Sequence, residues 1–187
     1  MNSRRTMAKK NIKQPIMSPE AERFMAFEGL VQWTQAVMMQ ARRISAAVNQ
    51  IRSREVMINP LTRRQAIHAS HCEYHFFTIA AHKLIEHRDW ALGLGLCQNV
   101  DFGEISNFSA ADIRDLRNMC EHVVDYFAGH GRDKDRWMVD TPEFRADASS
   151  VVGTMIGGRL DWLKFSFAAE RLLPTLLAEP IPYPARA

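Results

Sequence analysis

The sequence predicts a mainly α-helical domain, an antiparallel four-helix bundle with a small β-hairpin before the last helix. Apolar residues recur every three or four positions, and cap signals and glycines divide that pattern into four segments. The composition, 47% hydrophobic and 24% charged, is typical of a globular chain, and 187 residues suffice to bury a core. We expect a flexible basic arm over residues 1–17, a helical bundle over 18–178 and a proline-rich tail over 179–187.

The first helix is predicted to begin behind Ser18, because serine is a preferred N-cap and Pro19 suits the first helical position. Apolar residues then keep helical spacing as far as Ile51. The pair Asn59-Pro60 is predicted to end this helix and to open the next one.

The second helix is predicted over residues 60–88. It is apolar around much of its circumference, which is typical of a helix at the centre of a bundle. Residues 96–108 are predicted to form a connecting loop. Ser109 is the predicted cap of the third helix, which we expect to end near Gly129 and Gly131.

The helical pattern breaks over residues 132–158. Small and β-branched residues alternate there as in a pair of strands. Gly153, Gly157 and Gly158 would each cost a helix about 1 kcal/mol relative to alanine. A β-hairpin is therefore favoured, and the alternative is a helix in which two of these glycines permit close packing. The last helix is predicted over residues 160–177.

Positive charge is concentrated in two stretches of the chain. Residues 1–18 carry five bases and no acid. The second stretch has one acid, Glu55, among six arginines: Arg42, Arg43, Arg52, Arg54, Arg63 and Arg64. The guanidinium fork binds phosphate oxygens, and association with nucleic acid releases counterions. These arginines are predicted to bind RNA, and a solvated helix face is the alternative.

Missing motifs exclude most nucleotide-dependent and metal-dependent enzymes. The chain has no phosphate-binding glycine loop, no Gly-x-Ser-x-Gly, no His-Glu-x-x-His and no Cys-x-x-Cys. We therefore predict no cofactor and no metal. Three cysteines without a short-spaced pair favour a reducing compartment. No apolar run has transmembrane length and no signal-peptide core is present, so we expect a cytoplasmic protein without a membrane partner.

The third predicted helix contains Arg117-Asn118 followed by His122. An arginine and a histidine separated by four residues, with a polar residue after the arginine, resemble the signature of the HEPN superfamily over about residues 19–178. The resemblance implies an endoribonuclease of toxin–antitoxin or anti-phage systems. It also implies a homodimer with both signatures facing one cleft, and in many cases a minimal nucleotidyltransferase as antitoxin. Some members have no demonstrated cleavage, so the alternative is a non-catalytic module that binds a protein partner.

Metal-independent cleavage is chemically reasonable because RNA carries its own nucleophile, the 2′-hydroxyl. The predicted roles are His122 as general acid or base, Arg117 as stabiliser of the phosphorane and Asn118 as positioning residue. In a regular helix Arg117 and His122 lie about 140° apart around the axis. Their convergence then needs a long arginine reach, a distorted helix or the partner protomer. The structural alternative is an ordinary surface pair between Arg117 and Glu121.

Four histidines of the second predicted helix share one face: His68, His71, His75 and His82. Imidazoles at i and i+4 can bind one metal ion, so His71 and His75 give a third hypothesis, a metal-binding regulator. A polar seam between helices is favoured over it. So is a lining of the cleft around His122, where one of these histidines supplies a second proton-transfer group.

Overall fold

The computed structural model describes residues 17–131, 134–142 and 145–183, without the side chain of Lys134. All of the predicted basic arm except Met17, and the last four residues of the predicted tail, lie outside these ranges. Within them the protein is mainly helical, with small antiparallel sheets near the C-terminus. None of the described helices combines the length and the hydropathy that a membrane span requires.

The first half of the described chain forms two long helices with a short one between them: α1 Pro19–Arg52, α2 Arg54–Ile58 and α3 Pro60–Gly93. As predicted, the Ser18 side chain caps α1 by accepting from the Ala21 N–H at 3.2 Å. The predicted first helix is interrupted at Ser53, which adopts an extended conformation and caps α2 with its side chain.

The second half contains four further helices: α4 Gly103–Ser106, α5 Ala110–Glu121, α6 Val123–Phe127 and α7 Trp162–Ala178. Ser109 caps α5, as predicted, by accepting from the Asp112 N–H at 3.1 Å. The predicted third helix is broken at His122, whose φ of −108° and ψ of 27° are not helical. Val123 and Val124 follow the break, and β-branched residues favour helix less than most.

Between α6 and α7 the chain forms two small sheets. A 3₁₀ turn, Lys134–Arg136, precedes the antiparallel pair β1 Met138–Asp140 and β2 Arg145–Asp147. The second sheet is antiparallel in the order β3-β4-β5, formed by Val151–Val152, Met155–Ile156 and Leu160–Asp161. The prediction of strands before the last helix is confirmed, but two sheets replace the single hairpin. The last helix begins at Trp162 because the two residues before it belong to β5.

The core joins α1 to α3 and α7, and α3 to α5. At its centre, the fully buried ring of Phe77 on α3 packs in T-shaped geometry with two rings of α7. The ring centroids lie 6.4 Å apart for Trp162 and 6.2 Å apart for Phe165. Leu116 of α5 is also fully buried. This packing fixes the position of α5, which carries the Arg-Asn-x-x-x-His segment.

The three-stranded sheet packs closely against α5 at Gly157. A Cβ atom at this glycine would lie 2.5 Å from Leu116 Cδ1 and 3.1 Å from the carbonyl oxygen of Ala148. The φ of +55° also favours glycine. The absence of a side chain therefore lets the sheet approach the helix.

Candidate active site

A cavity of about 590 Å³ opens where α5 meets α6. Six polar residues border it: Asp115, Asn118, His122, Asp125, His130 and Arg136. Its volume falls within the range of about 300–1,000 Å³ that is typical of clefts for small organic ligands. The lining supplies two imidazoles, an amide, a guanidinium and two carboxylates, which is a set suited to proton transfer on an anionic substrate.

The helix break exposes His122 to this cavity. Because α5 ends at Glu121 and α6 begins at Val123, His122 is the C-cap of one helix and the N-cap of the next. Its side chain is 63% exposed. Its Nδ1 lies 3.4 Å from Oδ2 of Asp125, one turn further along. A carboxylate at Nδ1 favours the tautomer that is protonated there and leaves Nε2 to exchange a proton with a ligand.

The turn after α6 brings a second histidine to the cavity. The N–H of His130 donates to the carbonyl oxygen of Asp125 at 2.8 Å, and the N–H of Gly129 donates to that of Tyr126 at 3.1 Å. With φ at +78° for Gly129, these bonds form a Schellman motif, which folds the chain back on the helix end. Asp125 thus contacts His122 through its side chain and His130 through its backbone.

Asn118 borders the cavity and is held by Arg117. The Nη1 of Arg117 donates to Oδ1 of Asn118 at 2.9 Å. Since the amide oxygen is occupied, the amide NH₂ is the group that Asn118 can offer to an anion in the cavity. The Nη2 of Arg117 also pairs with Oε2 of Glu121 at 3.0 Å, so the predicted alternative, a pair along the helix surface, is present.

Arg117 itself lies on the α3 side of α5. Within the described ranges it does not border the cavity of His122, and its Nε is buried without a hydrogen bond. It lies near the buried His82, whose pKa is lowered chiefly by burial and further by the positive charge of Arg117, while Glu86 opposes the shift. Arg117 is therefore linked to this cavity through its hydrogen bond to Asn118, which borders it.

Arg136 supplies the guanidinium at the cavity. It forms an ion pair with Asp115 of α5, and its carbonyl oxygen accepts from Arg159. With neutral histidines, the two carboxylates and one guanidinium give the lining a net charge of −1. Protonation of both histidines changes this to +1. The charge that an anionic substrate meets therefore depends on the protonation of His122 and His130.

The four histidines predicted to share one face of the second helix differ in burial. His68 is exposed and His82 is buried, whereas His71 and His75 border a second cavity of about 210 Å³ between α3 and the sheets. Among the described residues, no three His, Cys, Asp or Glu side chains are grouped so that they could hold a metal ion. His82 lies close enough to Arg117 to feel its charge, and none of the four histidines borders the first cavity.

The six predicted RNA-binding arginines are all exposed: Arg42, Arg43, Arg52, Arg54, Arg63 and Arg64. The last four lie around the turn that joins α1, α2 and α3. The other two lie further back on α1, where Arg42 borders a third cavity against α7. The arginines therefore concentrate at one end of the α1–α3 pair instead of surrounding His122.

No family model, curated protein or solved structure matches the chain. Function is therefore inferred from the chemistry of the site.

Sequence reasoning missed four of the six polar residues of this cavity: Asp115, Asp125, His130 and Arg136. One signal for His130 was available, because Gly129 is a helix-ending glycine and the residue after such a glycine folds back onto the helix. Asp125 could also have been noticed, because it lies three residues after His122 and such residues are neighbours on a helix. Nothing in the sequence indicates the position of Arg136, which depends on how the loop crosses α5.

Proposed function

We propose that the protein is a metal-independent endoribonuclease whose reaction takes place in the cavity of His122 and His130. One observation carries the proposal: two imidazoles, an amide and a guanidinium border one cavity of nucleotide size. Cleavage of RNA at a 2′-hydroxyl needs a base, an acid and a stabiliser of added negative charge, and this lining offers each of them.

In the proposed reaction, Nε2 of His122 takes the proton of a 2′-hydroxyl while that oxygen attacks the adjacent phosphorus. His130 gives a proton to the departing 5′-oxygen, so the products are a 2′,3′-cyclic phosphate and a free 5′-hydroxyl. Asp125 holds His122 in its reactive tautomer. The guanidinium of Arg136 stabilises the phosphorane oxygens.

Arg117 has a different role from the one predicted on the sequence. Its bond to Oδ1 directs the NH₂ of Asn118 towards the substrate, which makes Arg117 a positioning residue. Asn118 and His122 keep their predicted roles, as amide donor and proton-transfer group. The carboxylate of Asp115 remains paired with Arg136 until a phosphate competes for that guanidinium.

The wider proposal is a HEPN-like antiparallel four-helix bundle that works as a cytoplasmic homodimer in toxin–antitoxin or anti-phage defence. Two exposed apolar side chains of α6, Val124 at 75% and Phe127 at 77%, support a dimer seam beside the cavity. In such a dimer the two sites face one RNA. An antitoxin of the minimal nucleotidyltransferase type is the proposed protein partner.

The test is incubation of the full chain with RNA in the presence of EDTA. We expect fragments that end in 2′,3′-cyclic phosphate, and a loss of about 10²–10⁴-fold in rate for His122→Ala and for His130→Ala. Arg136→Ala has a matched control in Arg171→Ala, because Arg171 is also an exposed arginine bound to a carboxylate, Glu104. The control is expected to keep the wild-type rate, and equal loss in both variants would contradict the proposal.

The second candidate function is a non-catalytic module that binds a protein partner through α6. The exposed Val124 and Phe127 favour it as much as they favour a dimer. Intact RNA together with a folded protein would support this candidate. Val124→Asp is then expected to abolish binding of the protein partner while the protein stays folded.

A further inference from the structure

The second cavity lies on the opposite side of the α5–α6 junction from the first one. Neighbouring residues of this junction face different cavities. Asn118 and His122 border the first cavity, whereas Cys120 and Val123 border the second. The two cavities therefore share one wall of the protein.

An aromatic pair forms part of that wall. Tyr126 borders the first cavity and Trp137 borders the second, and their rings stack with centroids 5.1 Å apart and an interplanar angle of 30°. Phe127 meets Trp137 edge-on at 5.5 Å and supports it from another side. The stack gives the indole a fixed orientation at the second cavity.

The lining of the second cavity suits one flat aromatic ring system. Its volume of about 210 Å³ is below the range of about 300–1,000 Å³ for drug-sized ligands. Trp137, Val123, Val151 and Ile156 supply apolar surface, and His71 and His75 supply imidazoles that can donate or accept a hydrogen bond. Such a combination is found where aromatic side chains hold bases of single-stranded nucleic acid.

Two of the three hydroxyl groups at this cavity already donate within the protein. The Thr78 hydroxyl donates to the carbonyl oxygen of Tyr74 at 3.0 Å, and the Ser149 hydroxyl donates to Oδ1 of Asp147 at 2.6 Å. The third is the phenol of Tyr74, which also borders the cavity. Recognition of a polar ring edge therefore falls to this phenol and to His71 and His75.

Positive charge leads from the arginine-rich end of α3 to this cavity. Arg64 and His71 are seven residues apart and so lie on one face of α3, about 10 Å apart along its axis. Burial raises the pKa of the Tyr74 phenol, and the positive charge of the nearby Arg52 opposes that rise. An RNA backbone that follows these arginines reaches the second cavity before the first.

We infer that the second cavity, between α3, the α5–α6 junction and β3–β4, binds one nucleobase of the RNA whose phosphate lies at His122 and His130. This inference rests on the proposed function, because the base belongs to the RNA strand that is cleaved at His122 and His130. It adds a substrate-binding site that the chemistry at His122 does not require.

The test is a titration of the full chain with adenosine, guanosine, cytidine and uridine. Binding is followed by the indole N–H resonance of Trp137 in a ¹H–¹⁵N spectrum, assigned with Trp137→Phe. We expect saturable shifts with at least one nucleoside. Val151→Phe fills the cavity and is expected to weaken binding at least about tenfold. Val152→Phe is the matched control, because Val152 is the exposed neighbour on the same strand, and it is expected to leave binding unchanged.

A second variant covers the case in which Val151→Phe does not fold. Val123→Phe enters the same cavity from α6 and is expected to have the same effect as the strand variant. A short RNA that displaces the nucleoside from the wild-type protein identifies RNA as the source of the base. A nucleoside that binds while RNA does not compete overturns that part of the inference.

The experiments can contradict nucleobase binding at the second cavity and RNA cleavage at the first cavity separately. RNA cleavage without saturable nucleoside binding, or with unchanged binding in folded Val151→Phe, overturns the base site alone. Nucleoside binding that is lost in Val151→Phe, together with intact RNA, supports the base site and contradicts the nuclease.

Discussion

Replacement of Gly157 by alanine tests how the sheet is held against α5. The φ of +55° costs an L-residue about 1–2 kcal/mol. Alanine also lowers the conformational entropy of the unfolded chain, which offsets about 0.4–1 kcal/mol of that cost. The new Cβ also meets Leu116 at 2.5 Å and the Ala148 backbone at 3.1 Å. The leucine side chain can rotate, but the backbone cannot retreat without moving the strand, and overpacking of this kind costs about 1–3 kcal/mol. We expect a total destabilisation of about 2–4 kcal/mol.

Gly153→Ala is the matched control for this variant. Its φ is +60°, but no atom lies within 4 Å of the added Cβ, so only the backbone cost of about 1 kcal/mol remains. Urea unfolding followed by circular dichroism gives both free energies. In a chain of this size, each kcal/mol of difference between the two free energies of unfolding corresponds to about 2–4 °C in Tm. Equal destabilisation in the two variants would refute close packing of the sheet on α5.

Three further predictions concern single side chains. Burial lowers the pKa of His82 below 6.5, so as the pH falls the unfolded chain binds a proton before the folded chain does. The free energy of unfolding should therefore fall as the pH drops below about 6.5, and it should fall less in His82→Gln. Tm values at pH 7.5 and 5.5 measure this difference. Burial raises the pKa of Cys120 to about 11, so iodoacetamide at pH 8 should alkylate the exposed Cys72 well before Cys120, as measured by peptide mass spectrometry. Arg117→Ala should lower kcat for RNA cleavage by about tenfold, and the double variant with Asn118→Ala should lose no more than Asn118→Ala alone.

The starts of α1 and α5 were predictable because they are marked locally. Ser18 and Ser109 are good caps in any context, and the hydrogen bonds that they accept are present. The strands were predictable from Gly153 and Gly157, which a helix disfavours. The division into two sheets was not, because it depends on how short strands pair after the chain has folded.

The break at His122 and the direction of Arg117 were beyond the sequence. Neither glycine nor proline marks the end of α5, and the two valines that follow His122 are too weak a signal to predict a break. The bonds of Arg117 to Asn118 and Glu121 are local to α5, whereas its position near His82 of α3 arises only from packing. The i,i+4 relation of Asn118 to His122 was the part of the signature that helical geometry could predict, and these two residues do share a cavity.

Mass spectrometry of RNA end groups tests the central claim most directly. Wild-type protein in EDTA is expected to leave 2′,3′-cyclic phosphate and 5′-hydroxyl ends at defined linkages, and a 2′-deoxy substitution at such a linkage should prevent its cleavage. His122→Ala should yield intact RNA under the same conditions. Cyclic phosphate ends produced equally by folded His122→Ala would contradict a reaction in this cavity.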